Sequence, residues 1–168
     1  WSVPIHQALG CAGYRLIELE PEELGDFLRR KDIGGLNVTI PYKREVMKFC
    51  DMLDPAAEAI GSVNTLVRQA EKLVGYNTDI DGFLYMLRRA GISLTGKKVV
   101  ILGSGGASLT AQTAARREGA REIVVVSRSG SDNYENLPER HADAEALVNT
   151  TPVGMWPKLE GQPVDLRL

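Results

Sequence analysis

The sequence has little from which a metal centre or a disulfide framework could be built. Its 168 residues include two cysteines, Cys11 and Cys50, and two histidines, His6 and His141. No CxxC pair and no Cys/His spacing links them, so no structural metal is expected. The thiols read as reduced, those of a cytoplasmic protein. An excess of one charge is also lacking: 20 Lys+Arg stand against 22 Asp+Glu, a formal net charge of −2. That balance gives no electrostatic reason to expect nucleic acid or a membrane surface as partner. No apolar run approaches the length that spans a bilayer, and no signal-peptide pattern, repeat or low-complexity tract is present. What remains is the composition of a soluble globular protein, 43% hydrophobic and 25% charged, long enough for one ordinary domain or two small ones. The chain opens on Trp1 and closes at Leu168 just after a strand-like Val164-Asp165-Leu166, and both ends read as cut edges of a longer protein.

The first candidate site lies in Gly35-Leu36-Asn37-Val38-Thr39-Ile40-Pro41-Tyr42-Lys43. Leu36 to Ile40 reads as a strand with Asn37 and Thr39 on one face. Pro41 has no N–H for a ladder and suits the first turn of a helix, which delivers Lys43 at a strand-to-helix corner. Two polar side chains followed by a lysine form a small-molecule site, or an edge strand with a wet face. Before it, Ser2 can cap a short helix from Pro4 to Leu9, Tyr14–Leu19 alternates as a strand, and Pro21–Lys31 has the charge order of a helix. The first part therefore reads β-α-β.

After Lys43, the apolar Val46, Met47 and Phe49 with Cys50 predict one buried helix face, and Asp54-Pro55 is a strong helix start. Ser62–Arg68 and Lys72–Asn77 predict a hairpin with Asn64 and Thr65 in its first strand. The run Asn77-Thr78-Asp79-Ile80-Asp81-Gly82 then ends a strand and opens a helix. Asp79 or Asp81 is a functional carboxylate or simply an N-cap.

Across Gly91–Lys98 the pattern changes to that of a nucleotide-binding unit. Lys98–Leu102 is a short, nearly all-apolar strand, as in a parallel sheet buried on both faces. It runs into Gly103-Ser104-Gly105-Gly106-Ala107-Ser108 and a helix from Leu109 to Glu118, and a second strand, Ile123–Val126, follows. Glycines between strand and helix let backbone N–H groups approach a pyrophosphate, although a tight turn without a ligand has the same pattern. Ser108 stands where the usual fingerprint has its third glycine. After the second strand come Ser127, Arg128 and Ser129 and no acid. A guanidinium with two hydroxyls suits a 2′-phosphate, so NADP is favoured over NAD, the alternative being a solvated loop arginine. Gly130–Asp143 reads as loop with at most a little helix. Ala146–Thr150 is a third parallel strand, with Thr151–Met155 a nicotinamide-side loop at its carboxyl end.

Together, GLNVTIPYK at 35–43, GSVNTL at 61–66, YNTDIDG at 76–82, GSGGAS at 103–108 and NTTPVGM at 149–155 resemble the shikimate dehydrogenase family over nearly the whole chain. The resemblance implies an α/β fold: an N-terminal α/β substrate-binding domain, 1–81, its first strand missing, and a Rossmann-like parallel-sheet NADP-binding domain, 82–168, its C-terminal part missing, with the active site in the cleft between them. It implies NADPH-dependent reversible reduction of 3-dehydroshikimate to shikimate, a step toward chorismate and the aromatic amino acids.

Carried over by motif, the resemblance assigns catalysis to Lys43 and Asp79, and substrate binding to Ser2, Thr39 and Asn64. It assigns cofactor binding to Gly103, Ser104, Gly105, Gly106, Ala107, Ser127, Arg128, Ser129, Thr150 and Met155, with no metal. The N-terminal motif departs from the family's, its proline displaced to give Ser2-Val3-Pro4. The chemistry is consistent with these roles, since ketone reduction needs a cationic acid beside the developing alkoxide. Two rivals are a quinate/shikimate dehydrogenase using NAD or NADP and a non-catalytic NADP-binding module. Assembly is left open between monomer and homodimer.

Overall fold

The computed structural model describes residues 2–165, and the chain forms two compact units, Trp1–Ile33 and Gly34–Leu168. In the first unit the regular elements among the described residues are helix α1 (Ser2–Ala8) and helix α2 (Leu24–Arg29). α1 begins at Ser2 itself, so that serine is helical and not the cap expected in front of Pro4. The His6 ring stacks on Tyr14 with centroids 3.8 Å apart, and its Nδ1 pairs with the Ser2 carbonyl oxygen at 2.9 Å. α2 is shorter than the helix expected over Pro21–Lys31, and it buries Leu24 and Leu28, one turn apart.

Tyr14–Leu19 forms no strand. Alternation alone does not make one, because a strand exists through a ladder with a neighbour, and both sheets draw their strands from Gly35–Asn149. Leu16 and Ile17, whose burial would have driven pairing, stay 72% and 41% exposed. The expected strand at Val164-Asp165-Leu166 is not formed at Val164 and Asp165, and Leu166 lies outside the described residues.

In the second unit a four-stranded sheet has the order β1-β3-β4-β2, with β1 Gly35–Asn37, β2 Met52–Leu53, β3 Thr65–Gln69 and β4 Lys72–Tyr76. β3 and β4 form the expected hairpin, antiparallel from Thr65↔Tyr76 to Gln69↔Lys72, and Ala70 in its turn takes φ 52°. β1 runs antiparallel to β3 and β2 parallel to β4. The β1 ladder stops where Asn37 faces Thr65, the first residue of β3, and the Val38 N–H to Asn64 carbonyl bond lies just beyond it. Thr39 therefore lies beyond the strand, and Asn64 sits just before β3 and not within it.

After Lys43 the chain makes a 3-10 helix, Glu45–Phe49, that buries Val46. Helix α3 (Pro55–Ile60) starts as its sequence dictates. The Asp54 carboxylate accepts the Ala56 N–H at 2.9 Å and Pro55 fills the first turn.

The second sheet is parallel throughout, in the order β6-β5-β7, with β5 Lys98–Leu102, β6 Glu122–Val126 and β7 Ala146–Asn149. β5 is central and buried along its whole length, which explains the apolar run Val99–Leu102 that follows Lys98. Val99 and Ile101 pack with Leu87 of helix α4 (Asp79–Arg89) and with Ala111 and Ala115 of helix α5 (Gly106–Arg117). Val100 and Leu102 pack on the other face with Val124, Val126 and Leu137 of the short helix α6 (Leu137–Arg140). A further cluster of Ile60, Ile80, Leu84 and Ala114 joins α3, α4 and α5. Each Val, Leu or Ile side chain in these clusters contributes roughly 1.5–3 kcal/mol when fully buried. This cluster fixes the first turn of α4 against α5, and with it the chemistry described next.

Candidate active site

Lys43 and Asp79 meet. The turn before the 3-10 helix carries Lys43, the first residue of α4 is Asp79, and their Nζ and Oδ2 atoms are 2.6 Å apart. The Val63 N–H donates to the Lys43 carbonyl oxygen at 2.8 Å, tying the lysine's turn to the approach of β3. The lysine side chain is 21% exposed and the carboxylate 40%, so the pair is sheltered yet reachable.

Asn64 reinforces the carboxylate from behind. Its Nδ2 donates to Asp79 Oδ1 at 2.8 Å and to Thr78 Oγ1 at 3.0 Å, while its Oδ1 accepts the Thr78 N–H and the Thr65 hydroxyl, each at 3.0 Å. The Asn64 amide thus spends both its protons inside the protein, and its direct partner is Asp79. Asp79 is not an N-cap. Thr78 occupies that position without a side-chain cap, and the Asp79 N–H is taken by Asn77 Oδ1 at 3.1 Å. Buried Asn77 in turn donates to the Ser62 carbonyl oxygen at 2.8 Å. Asn77 and Thr78 were legible in the sequence only as a strand end. Their work in orienting Asp79 appears once β3 and β4 are side by side.

The nucleotide turn stands beside this pair. A Cβ on Gly106 would lie 3.4 Å from Ser62 Oγ and 3.6 Å from Lys43 Cδ, so the lysine stem packs against the opening of α5. The Ser62 hydroxyl is buried there without a partner among the described residues. Gly103 takes φ 104°, and a Cβ on it would meet Thr150 Oγ1 at 2.8 Å. The Gly103 N–H donates to the Val126 carbonyl oxygen at 2.8 Å, which brings the ends of β5 and β6 together. Ser104 follows in the turn, Gly105 is the extended residue in front of α5, and Ala107 lies in its first turn. Ser108, in place of a third glycine, is fully buried and accepts from Gln112 Nε2 at 3.2 Å.

The other expected cofactor residues fall at the carboxyl ends of the parallel strands. Ser127, Arg128 and Ser129 follow β6, with Arg128 and Ser129 exposed. Thr150 follows β7, but its hydroxyl donates to the Leu102 carbonyl oxygen at 2.6 Å, a role in holding the strand ends. Met155 is 62% exposed in the turn beyond. Thr39 is exposed on the way to Lys43, and its carbonyl oxygen accepts the Tyr42 N–H at 3.0 Å. Ser2 belongs to the first unit. Among the described residues no cluster of three or more His, Cys, Asp and Glu could hold a metal, and no helix is long and apolar enough to cross a membrane.

The chain is similar to known shikimate dehydrogenases. Residues 5–66 match the family model of the shikimate dehydrogenase substrate binding domain. The shikimate dehydrogenase (NADP(+)) of Clostridium beijerinckii is 38% identical over 167 residues, covering 90% of this chain and 61% of that protein. Among solved structures, shikimate dehydrogenase 1 of Peptoclostridium difficile has 35% identity and a TM-score of 0.86, covering 98% of this chain and 67% of that one. The Thermus thermophilus shikimate 5-dehydrogenase, solved in complex with NADP(H) and shikimate, has 31% identity and a TM-score of 0.78, covering 98% and 68%. The chain spans about three fifths of the length of the curated relatives it matches.

Proposed function

Because the chain belongs to the shikimate dehydrogenase family, we propose that it carries the NADPH-dependent reversible reduction of 3-dehydroshikimate to shikimate, in aromatic amino acid biosynthesis. The observation that carries this reading is the Lys43–Asp79 pair, 2.6 Å apart, packed beside the glycine turn at the head of α5. Residues 1–81 are assigned to the substrate side and 82–168 to the cofactor side. A cytoplasmic location fits a pathway enzyme.

The residues present fit a dinucleotide. Gly103 holds the positive φ that the turn requires, Gly105 has open space where a Cβ would sit, and the turn leads directly into the N-terminus of α5, where a helix favours an anion. Gly103, Ser104, Gly105, Gly106 and Ala107 would hold the pyrophosphate. Ser127, Arg128 and Ser129 would hold the 2′-phosphate, and Met155 would lie near the nicotinamide. The hydride that reduces the carbonyl carbon is the chemistry that the bound cofactor supplies.

The chain's own residues do the rest. The Lys43 ammonium points its proton at the carbonyl oxygen, stabilises the alkoxide as charge develops and donates the proton to it. Asp79 fixes the ammonium's direction and accepts from a ring hydroxyl. Asn64 holds Asp79 and can exchange its Thr78 bond for the substrate, and Thr39 and Ser2 offer neutral hydroxyls to a polyhydroxylated ring. In the reverse direction Lys43 takes the hydroxyl proton as hydride leaves.

The test is loss of the reduced-nicotinamide absorbance on adding 3-dehydroshikimate, run with NADPH and NADH. Turnover with NADPH supports the reading, and absence of turnover with either cofactor refutes it. The rival in which quinate and NAD serve is separated by running shikimate and quinate against both oxidised cofactors.

A further inference from the structure

A free ribose 2′-hydroxyl is usually met by a carboxylate at the end of the second strand of a nucleotide-binding unit, whereas a 2′-phosphate is met by arginine. Spacing places no acid at the end of β6, but the fold brings one there. The chain turns back after Ser127, and the Ser127 N–H donates to the Asp132 carbonyl oxygen at 3.1 Å, placing Asp132 at the base of the Ser127–Ser129 cluster.

The Asp132 carboxylate is already engaged through one of its oxygens. Its Oδ1 receives Arg140 Nη1 at 2.7 Å and His141 Nε2 at 2.9 Å. The Asp132 side chain is 21% exposed and that of His141 9%. His141 Nδ1 has no partner among the described residues, so the tautomer with hydrogen on Nε2 is the one that serves Asp132. Arg140 Nη1 also donates to the Ser131 carbonyl oxygen at 3.1 Å, and Asn136 Nδ2 donates to the same oxygen at 2.9 Å, which pins the loop to α6. Arg128, by contrast, is exposed and makes no hydrogen bond or ion pair among the described residues.

We infer that Arg140 and His141 are specificity-determining residues that mask Asp132 and so set this loop to read a 2′-phosphate and not a ribose diol. The inference rests on the NADP site proposed above. A phosphate dianion arriving at Arg128 meets an unopposed guanidinium, because the Asp132 carboxylate is already matched by the Arg140 guanidinium and the His141 N–H. Released from α6, Asp132 would repel that phosphate and accept hydrogen bonds from the hydroxyls of NADH.

The test titrates the enzyme with NADPH and with NADH, followed by reduced-nicotinamide fluorescence, with KM for each cofactor and for 3-dehydroshikimate alongside. In the double variant Arg140→Gln/His141→Gln the preference for NADPH falls at least about fivefold, the size of one exposed charge interaction, while KM for 3-dehydroshikimate is unchanged. Adding Asp132→Asn to that variant restores the preference, because a neutral amide does not repel the phosphate. A purely bracing role would weaken both cofactors together without such rescue. That result, or an unchanged ratio, overturns the inference. Should the double variant not fold, Arg140→Gln alone, at a side chain 51% exposed, gives the same readout with a smaller fall. If the unaltered enzyme binds neither nucleotide, the NADP reading itself fails, which is distinct from a preference that survives the substitutions.

Discussion

Replacing Asn64 with alanine removes the residue around which the Asp79 carboxylate is organised. The change deletes donation to Asp79 Oδ1 and Thr78 Oγ1 and acceptance from the Thr78 N–H and the Thr65 hydroxyl. A neutral hydrogen bond is worth about 0.5–1.5 kcal/mol net and one to a charged group about 1.5–3 kcal/mol. Simple addition overstates the loss, because Thr78 is exposed and Asp79 is 40% exposed, so water takes over part of the bonding. A destabilisation of roughly 2–3 kcal/mol follows, measured as a lower urea midpoint at constant m-value. Function should suffer in two ways. KM for the dehydroshikimate rises because a contact is gone. Turnover falls about tenfold because Asp79 can rotate away from Lys43. Asn64→Asp should be worse in turnover than Asn64→Ala, since it sets a second carboxylate 2.8 Å from Asp79. A stability loss below about 0.5 kcal/mol with unchanged kinetics would show that the network is not organised around Asn64.

Other consequences are as concrete. Gly103→Ala forces a side chain into φ 104° and against Thr150 Oγ1, so NADPH affinity should fall at least about tenfold and the melting temperature should drop. Equal affinity in the variant would refute the close approach of this turn. The acid side of the stability curve should depend on Asp132 and Asp143. The His141 hydrogen bond, with Arg140 close by, holds the Asp132 carboxyl below its usual range, and Lys98 does the same for Asp143. A depressed folded value means the stabilisation is present above the unfolded value and lost as pH falls through the folded one. Melting temperature should therefore drop steeply below about pH 4, and less steeply in Asp143→Asn. An identical acid limb in that variant would remove Asp143 from the account. Asp79→Asn keeps the Asn64 contact but loses the ion pair. It should cost about 1 kcal/mol of stability or less at this exposure, yet lower kcat much more than it raises KM.

Much of the nucleotide half could be read directly from the sequence. The nearly all-apolar β5, the glycine turn and the Ile123–Val126 run carry their structure locally, through burial and the absence of Cβ atoms. The Asp54-Pro55 helix start and the 62–77 hairpin were legible for the same reason. Tyr14–Leu19 was not, because alternation states which face would be buried and not which partner would be present. Thr39 and Asn64 were assigned to strands, but β1 ends two residues before Thr39 and β3 begins one residue after Asn64, since a ladder extends only as far as its neighbour does. Lys43 and Asp79 were legible as residue types, but their 2.6 Å contact depends on a hairpin and a helix start meeting across 36 positions. Asp132 was hidden altogether, because its proximity to Ser127 arises from a turn that sequence spacing does not encode.

The central claim is that Lys43 is the proton donor for carbonyl reduction. It is tested most directly by the steady-state rate of Lys43→Ala with NADPH and 3-dehydroshikimate, beside a calorimetric check that NADPH still binds. In that variant kcat should fall by about 10²–10⁴-fold, with KM for the dehydroshikimate staying within a few-fold of the unaltered enzyme. Near-full turnover in that variant would contradict it.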